Sequence, residues 1–166
     1  MATQVLPSVN DYELSWSDIA VTVTPTGGAL IEMGDISGIK WARKVEVGEQ
    51  RGASGGRVMK RTRGKVSYEA ALTITRSSLH ERFLPALVAL APRRGNQALV
   101  AAVSFEVLIQ HTPLGSTKIY TTKIKGCRYL EDSDDMKEGS DPDQVEVTLN
   151  PIEIVNIING VEALLI

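Results

Sequence analysis

The chain has 166 residues, of which 43% are hydrophobic and 23% are charged, and its formal net charge is -2 at pH 7. This composition is that of a globular protein, and residues 1–166 fit a single domain with its own core. A lone cysteine, Cys127, excludes a disulfide framework within one chain and a cysteine-based metal site. No apolar stretch reaches the roughly eighteen residues that span a membrane, and no signal peptide is recognisable, so we expect a soluble protein made in the cytosol.

The first half of the chain is dominated by strand-like alternation. Residues 1–17 are mixed and are expected to form an N-terminal arm. Apolar residues at every second position then predict a strand ending at Pro25, a short strand at residues 30–33 and a long hairpin over residues 36–75. Residues 48–57, within this hairpin, contain four glycines and no apolar periodicity. We expect this segment to be a loop that is disordered or is ordered by a partner.

One helix is predicted. Ser78 with Glu81 three residues later matches a capping box, which places the start of the helix at Ser78. Pro85 should kink the helix, and Pro92 should end it. The apolar stripe expected to face the core consists of Leu79, Phe83, Leu87 and Leu90.

Three further strands are predicted after the helix. Alternation places them at residues 99–109, at residues 118–130 with a bulge or bend at Gly126, and at residues 145–149. The apolar segment of residues 156–166 should dock on its own subunit or on a neighbour. Strands, one helix and more strands predict a mainly β fold: an antiparallel sandwich or open barrel with one flanking α-helix.

Charge is distributed unevenly along the chain. Residues 40–65 contain nine basic and two acidic residues, whereas residues 131–146 contain eight acidic residues and one lysine. One interpretation, which is the commoner one in proteins generally, is that the two charged segments form separate solvated surfaces. The alternative is that the two patches meet, within one chain or between copies, because complementary potentials steer association.

No catalytic or metal-binding constellation is recognisable. His80 and His111 lack zinc-site spacing, and Ser54 lacks the frame of a nucleophile elbow. The glycine-rich loop lacks the ending of a phosphate-binding loop, and the aspartates at positions 132–143 lack EF-hand spacing. Cys127 is expected to be a small core residue. We therefore predict no enzymatic activity, no metal and no cofactor.

The order of elements resembles a known family. The basic glycine-rich loop leads into residues 57–74, and the helix, residues 123–128, the acidic segment and residues 145–149 follow. This order is similar to that of the tail tube proteins of tailed bacteriophages, over residues 19–155. Hcp proteins of type VI secretion and the tubes of R-type bacteriocins share the family's fold. The resemblance implies hexameric rings whose strands join edge to edge into an inner β barrel, and which stack into a hollow tube that carries DNA into the host.

The resemblance also implies interface residues and partners. Residues 48–57 would be the extended loop that is ordered when a neighbouring ring docks. The implied interface residues of this loop and the basic hairpin are Lys44, Arg51, Arg57, Lys60, Arg61 and Arg63. The implied acidic partner loop contributes Glu131, Asp132, Asp134, Asp135, Glu138, Asp141 and Asp143. Partners would be further copies of the chain, sheath or other tail proteins, the baseplate and the tail terminator, with DNA in transit and no membrane insertion; the protein would reside in the virion tail after synthesis in the bacterial cytoplasm.

Several alternatives stay open. The closest is an Hcp-like or R-type bacteriocin tube subunit of a contractile injection system. A monomeric ligand-binding β-barrel would need an enclosed apolar pocket, and a hydrolase would need the catalytic constellation that the sequence does not offer.

Overall fold

A computed structural model describes residues 19–53, 55–112, 117–134 and 143–164. The predicted N-terminal arm, residues 1–17, lies outside the described residues. At Met59 and Arg63 the description is limited to the backbone. No helix in the described ranges has both the length and the apolar character needed to cross a membrane.

The predicted mainly β fold is confirmed, because the described regular structure consists of eleven strands, one interrupted helix and one short 3-10 turn. The strands are β1 Ile19–Pro25, β2 Ile31–Glu32, β3 Ile36–Arg51, β4 Val58–Thr75, β5 Arg93–Arg94, β6 Gln97–Ala98, β7 Ser104–His111, β8 Tyr120–Asp134, β9 Gln144–Leu149, β10 Glu153–Ile158 and β11 Val161–Ala163. Nine of them form one antiparallel sheet, in which the order is β2-β1-β7-β8-β9-β4-β3, with β10 paired to β8 and β11 to β10. The short strands β5 and β6 form a separate ribbon.

The core lies where the apolar faces of the curved sheet meet the helix. On β9 the alternation predicted from sequence is realised, because Val145, Val147 and Leu149 are all buried. The helix contributes Phe83, whose ring meets that of Phe105 edge to face, with 5.5 Å between the ring centroids. The helix therefore flanks one side of the sheet and closes the core there. Three of the four predicted stripe residues are buried, namely Leu79, Phe83 and Leu87; Leu90 is 37% exposed.

The start of the helix differs from the prediction. Its N-cap is Thr75, whose hydroxyl accepts a hydrogen bond from the backbone N–H of Ser78 at 3.3 Å. Ser78 therefore lies inside the first turn, and its own hydroxyl donates to a carboxylate oxygen of Asp35 at 3.3 Å. The capping-box prediction was wrong because β4 passes into the helix without a loop, so the last residue of the strand is also the cap.

The helix begins before the predicted residue, and it is also interrupted. It consists of α1 Arg76–Ser78, a π-helical turn Leu79–Phe83 and α2 Leu84–Leu90. The wide turn ends next to Pro85, which has no N–H to donate to the preceding turn. The kink predicted at Pro85 stays a prediction, a π turn lies just before this residue, and the helix ends before Pro92 as predicted.

The long hairpin extends further than predicted. Residues 48–51 belong to β3 and pair with β4, with Gly48 opposite Thr62 and Glu49 opposite Arg61. The prediction of a loop over these residues was wrong, because backbone pairing continues along a hairpin without apolar side chains. Glycine marks close approach here: a Cβ added to Gly64 would collide with the carbonyl oxygen of Glu46.

Two later strands also have different bounds. Val100–Ala102 is a 3-10 turn, so β7 begins at Ser104 and not at Leu99, which is 46% exposed. β8 continues to Asp134 and includes residues that we expected in an acidic loop. The predicted bulge at Gly126 is confirmed, because its φ is +62° and the pairing of β7 with β8 shifts register there.

Candidate assembly surface

The basic part of the candidate surface begins on β3, the last strand of the sheet. β3 pairs with β4 along one side, and its other side faces no strand within the described ranges. Three cations, Lys40, Arg43 and Lys44, lie near the middle of β3. A strand of sixteen residues at the end of a sheet leaves a row of backbone donors and acceptors open to another chain.

The outer part of the hairpin carries the other predicted basic residues. Glu49 accepts two exposed ion pairs, from Arg51 at 3.6 Å and from Arg61 at 3.8 Å. Arg57 and Lys60 are exposed and form no ion pair with any described residue. Arg63 lies in β4 with its backbone opposite Val47. Glu49 thus pairs with two of the cations, and the outer hairpin retains a net positive charge.

Among the described residues, the basic and acidic patches meet at one point inside the subunit. The Nζ of Lys40 donates to a carboxylate oxygen of Glu146 at 2.8 Å. The two residues lie on β3 and β9, which flank β4 on either side. Since both side chains are largely exposed, the pair contributes at most about 1 kcal/mol to stability.

Two of the predicted acidic residues are engaged within their own subunit. The guanidinium of Arg76 donates through its Nε to Asp134 at 3.0 Å, contacts the second Asp134 oxygen, and donates to Asp143 at 3.2 Å. The Arg76 side chain is 19% exposed, and the hydrogen bond to Asp134 raises its pKa above the ordinary value. Asp134 and Asp143 therefore anchor the start of the helix. Sequence analysis missed Arg76, whose only signal was a cation at the junction of strand and helix.

The remaining acidic residues fall into two groups. Glu131 and Asp132 are exposed on the last part of β8. β7 pairs with β8 only as far as Arg128, so residues 129–134 of β8 have β9 on one side and no described strand on the other. Burial, together with a hydrogen bond to Asp132, raises the pKa of Tyr129. The other predicted acidic residues, Asp135, Glu138 and Asp141, lie outside the described residues.

The C-terminal segment docks on its own subunit through β10. Residues 153–157 of β10 pair with β8, and Ile154 and Val155 are buried. Asn159 and Gly160 both have positive φ and form the tight turn to β11. Lys125 on β8 donates to Glu162 at 2.6 Å, and this contact raises the pKa of Lys125 and lowers that of Glu162. The hairpin formed by β10 and β11 is thus held against β8 by an ion pair as well as by backbone pairing.

No protein-family model matches the chain. No curated protein matches it either. Among solved structures, the sheath-tube complex of an extracellular contractile injection system, PVC in its extended state, has a TM-score of 0.62 at 13% identity, with 89% of this chain and 93% of that chain covered.

Two further structures broaden the comparison. The SPP1 tail tube has a TM-score of 0.60 at 8% identity, with coverage of 87% of this chain and 78% of that one. An Hcp protein has a TM-score of 0.51 at 10% identity, with coverage of 87% and 94%. Identities this low establish the fold alone. The chain has the fold shared by tail tube and Hcp proteins.

Proposed function

We propose that this protein is a structural subunit that assembles with copies of itself into hexameric rings, which stack into a hollow tube. The observation that supports the proposal is the shared fold over almost the whole chain with a tube of a contractile injection system and with a phage tail tube. A tube subunit needs extensive contact surfaces and no catalytic centre. The proposal therefore includes no enzymatic role.

The open strand edges support self-assembly on physical grounds. A long unpaired edge such as β3 is an aggregation hazard in an isolated subunit, and joining edges in a ring removes it. The chain also has exposed apolar residues, including Val47 and Val58 on the outer hairpin and Leu130 on β8. These side chains are available for contact with further subunits.

We propose the outer hairpin, with residues 48–57 at its tip, as the contact between neighbouring rings. It is basic, and Arg57 and Lys60 have no partner among the described residues of their own subunit. The acidic side of that contact would come from the segment that begins at Glu131 and extends through residues 135–143. Exposed charge pairs are individually weak, but a ring repeats each of them.

Two kinds of tube fit the proposal. In the first, the protein is the tail tube of a bacteriophage, lies in the virion tail and lets DNA pass into the host. In the second, it is the tube of a contractile injection system, the kind of assembly to which the PVC sheath-tube complex belongs. The proposed partners are a sheath or other tail proteins, a baseplate and a tube terminator, because chains in structures of a sheath-tube complex, a tube terminator and a baseplate share the fold.

Sedimentation of the purified protein tests the proposal against a monomeric ligand-binding barrel. We expect ring-sized or longer particles whose proportion rises with protein concentration. A species that remains monomeric at every concentration would overturn the proposal. Particles isolated from producing cells then separate the two kinds of tube, because DNA-filled heads attached to immunolabelled tails indicate a phage, whereas headless tubes indicate an injection system.

A further inference from the structure

Four consecutive strands of the sheet form a unit with an open edge at each end. The strands are the end of β8 at residues 129–134, then β9, β4 and β3. Each neighbouring pair is antiparallel, so three reversals make β3 antiparallel to β8. Rotation of a copy about a ring axis keeps the direction of each strand along that axis. The β3 edge of one copy therefore meets the β8 edge of the next as an antiparallel pair.

The two edges carry opposite charge. Within residues 129–134 of β8 the charged residues are all acidic. Residues 40–44 of β3 include three cations, of which Lys40 is already paired with Glu146 inside the subunit. Arg43 and Lys44 form no ion pair with any described residue. The open β3 edge thus has two cations available, and the open β8 edge has two acidic residues, Glu131 and Asp132, that no described cation pairs with.

The charges also match on each face of the sheet. Arg43 lies opposite Tyr68, on the face that carries the buried Leu72, and Asp132 lies opposite Val147 on that same face. The other face of the sheet holds Lys44 and Glu131. Side chains directly opposite each other on neighbouring strands share a face, so each carboxylate has one cation on its own face.

One register satisfies both pairs. If Lys44 lies opposite Glu131 in an antiparallel ladder, Arg43 lies opposite Asp132. A shift of two residues in one direction places Glu46 opposite Glu131, and the opposite shift places Ala42 there. A shift of one residue would place the apolar face of β3 in one copy on the opposite side of the sheet from the apolar face of β8 in the next copy.

We propose that β3 of one copy pairs with residues 129–134 of β8 of the next copy, with Lys44 opposite Glu131 and Arg43 opposite Asp132. The inference rests on the proposed tube function and identifies the joint within each ring. The contact uses two different surfaces, so it is heterologous and closes a ring when the rotation per subunit allows. Asp134, the last residue of the joint on β8, stays bound to Arg76, and this contact holds the end of β8 in position.

Paired cysteines test the register in the assembled protein. Lys44→Cys with Glu131→Cys should form disulfides between subunits under mild oxidation, because opposed positions in a ladder are within disulfide reach. Within one subunit the two positions are three strand spacings apart, roughly 14 Å, too far for a bond. The matched control is Ala42→Cys with Glu131→Cys, on the same face but two residues out of register. Cys127 is buried and remains unchanged.

The predicted result is a ladder of oligomers on denaturing gels that ends at the ring size and disappears on reduction. The control pair should give monomers. Equal ladders from both pairs, or no ladder from the first pair while microscopy shows normal rings, would overturn the joint and leave the tube function standing. If the wild-type protein forms no rings at all, both the joint and the proposed function fail.

Discussion

Arg76 and Asp134 join the start of the helix to the end of β8, with the guanidinium donating to both carboxylate oxygens across 58 residues of chain. The same guanidinium also reaches Asp143, immediately before β9. These contacts orient the acidic strand end that we assign to the ring joint. Part of the acidic patch thus stabilises the subunit, and only the remainder is available to a neighbour.

Replacing Arg76 should therefore lower the stability of the subunit. In Arg76→Met the two aspartates lose their shared cation, so we expect a lower melting temperature by circular dichroism. The matched control is Arg94→Met, at an exposed position in the β5–β6 ribbon. Equal melting temperatures for Arg76→Met and the wild-type protein would show that the contacts to Asp134 and Asp143 do not stabilise the fold.

Burial raises the pKa of the Cys127 thiol to about 12. The folded protein keeps this proton at pH values where an unfolded thiol, with its ordinary pKa near 9.0, has lost it. The stabilisation is therefore complete below pH 9 and is lost as pH rises toward 12, at up to about 1.4 kcal/mol per pH unit for one proton. Urea unfolding at pH 8 to 10.5 measures this slope.

The matched variant is Cys127→Ala, which removes the ionisable group. We expect its stability to fall less steeply above pH 9 than that of the wild-type protein, although burial also raises the pKa of Tyr129 and leaves part of the slope. Identical slopes in the two proteins would mean that the thiol contributes nothing to the alkaline loss of stability.

Reversing one charge of a pair at the ring joint should weaken assembly, and reversing both charges of the pair should restore it. Lys44→Glu places two carboxylates opposite each other. In the proposed register of the wild-type chain no two carboxylates are opposed, and like charges in opposed positions destabilise a ladder. Each pair is worth only about 0.2 to 1 kcal/mol, but every joint of a ring is affected. We expect fewer rings by sedimentation, and the loss should depend on salt.

The compensating variant makes this prediction specific. Adding Glu131→Lys to Lys44→Glu reverses both partners and should restore rings, whereas Arg94→Glu, in the β5–β6 ribbon, should assemble normally. If the double variant assembles no better than Lys44→Glu alone, residues 44 and 131 do not face each other.

Shortening the tip of the hairpin should separate ring formation from stacking. Residues 52–57 connect β3 to β4, and the N–H of Gly52 donates to the carbonyl of Arg57 at 3.1 Å. Replacing residues 52–57 with a two-residue Asn-Gly turn keeps a hairpin but removes the proposed contact with the next ring. We expect single rings by negative-stain microscopy. Long tubes from this variant would exclude the tip from the contact between rings.

Local sequence patterns predicted the strands in which apolar and polar side chains alternate. Val145, Val147 and Leu149 alternate and are buried, and the break in alternation at Gly126 coincides with a bulge. Prediction failed where backbone hydrogen bonds, and not side chains, determine whether a segment is a strand. Gly48 was assigned to a loop, yet it continues a strand because its hairpin partner supplies the hydrogen bonds.

The candidate surface was predictable only in its composition. The sequence shows a basic hairpin and an acidic segment, but a run of carboxylates resembles a solvated loop, and Glu131 lies in a strand instead. The capture of Asp134 by Arg76 depends on tertiary contacts that no local pattern encodes. Likewise, the open edges of β3 and β8 follow from strand order, which becomes visible only in three dimensions.

Cryo-electron microscopy of the purified, assembled protein is the most direct test of the central claim, that this chain builds a tube from rings. We expect hollow particles with sixfold rings, stacked at regular spacing, in which β3 of each subunit runs antiparallel to residues 129–134 of the next. Particles without a central channel, or a protein that stays monomeric under all assembly conditions, would contradict it.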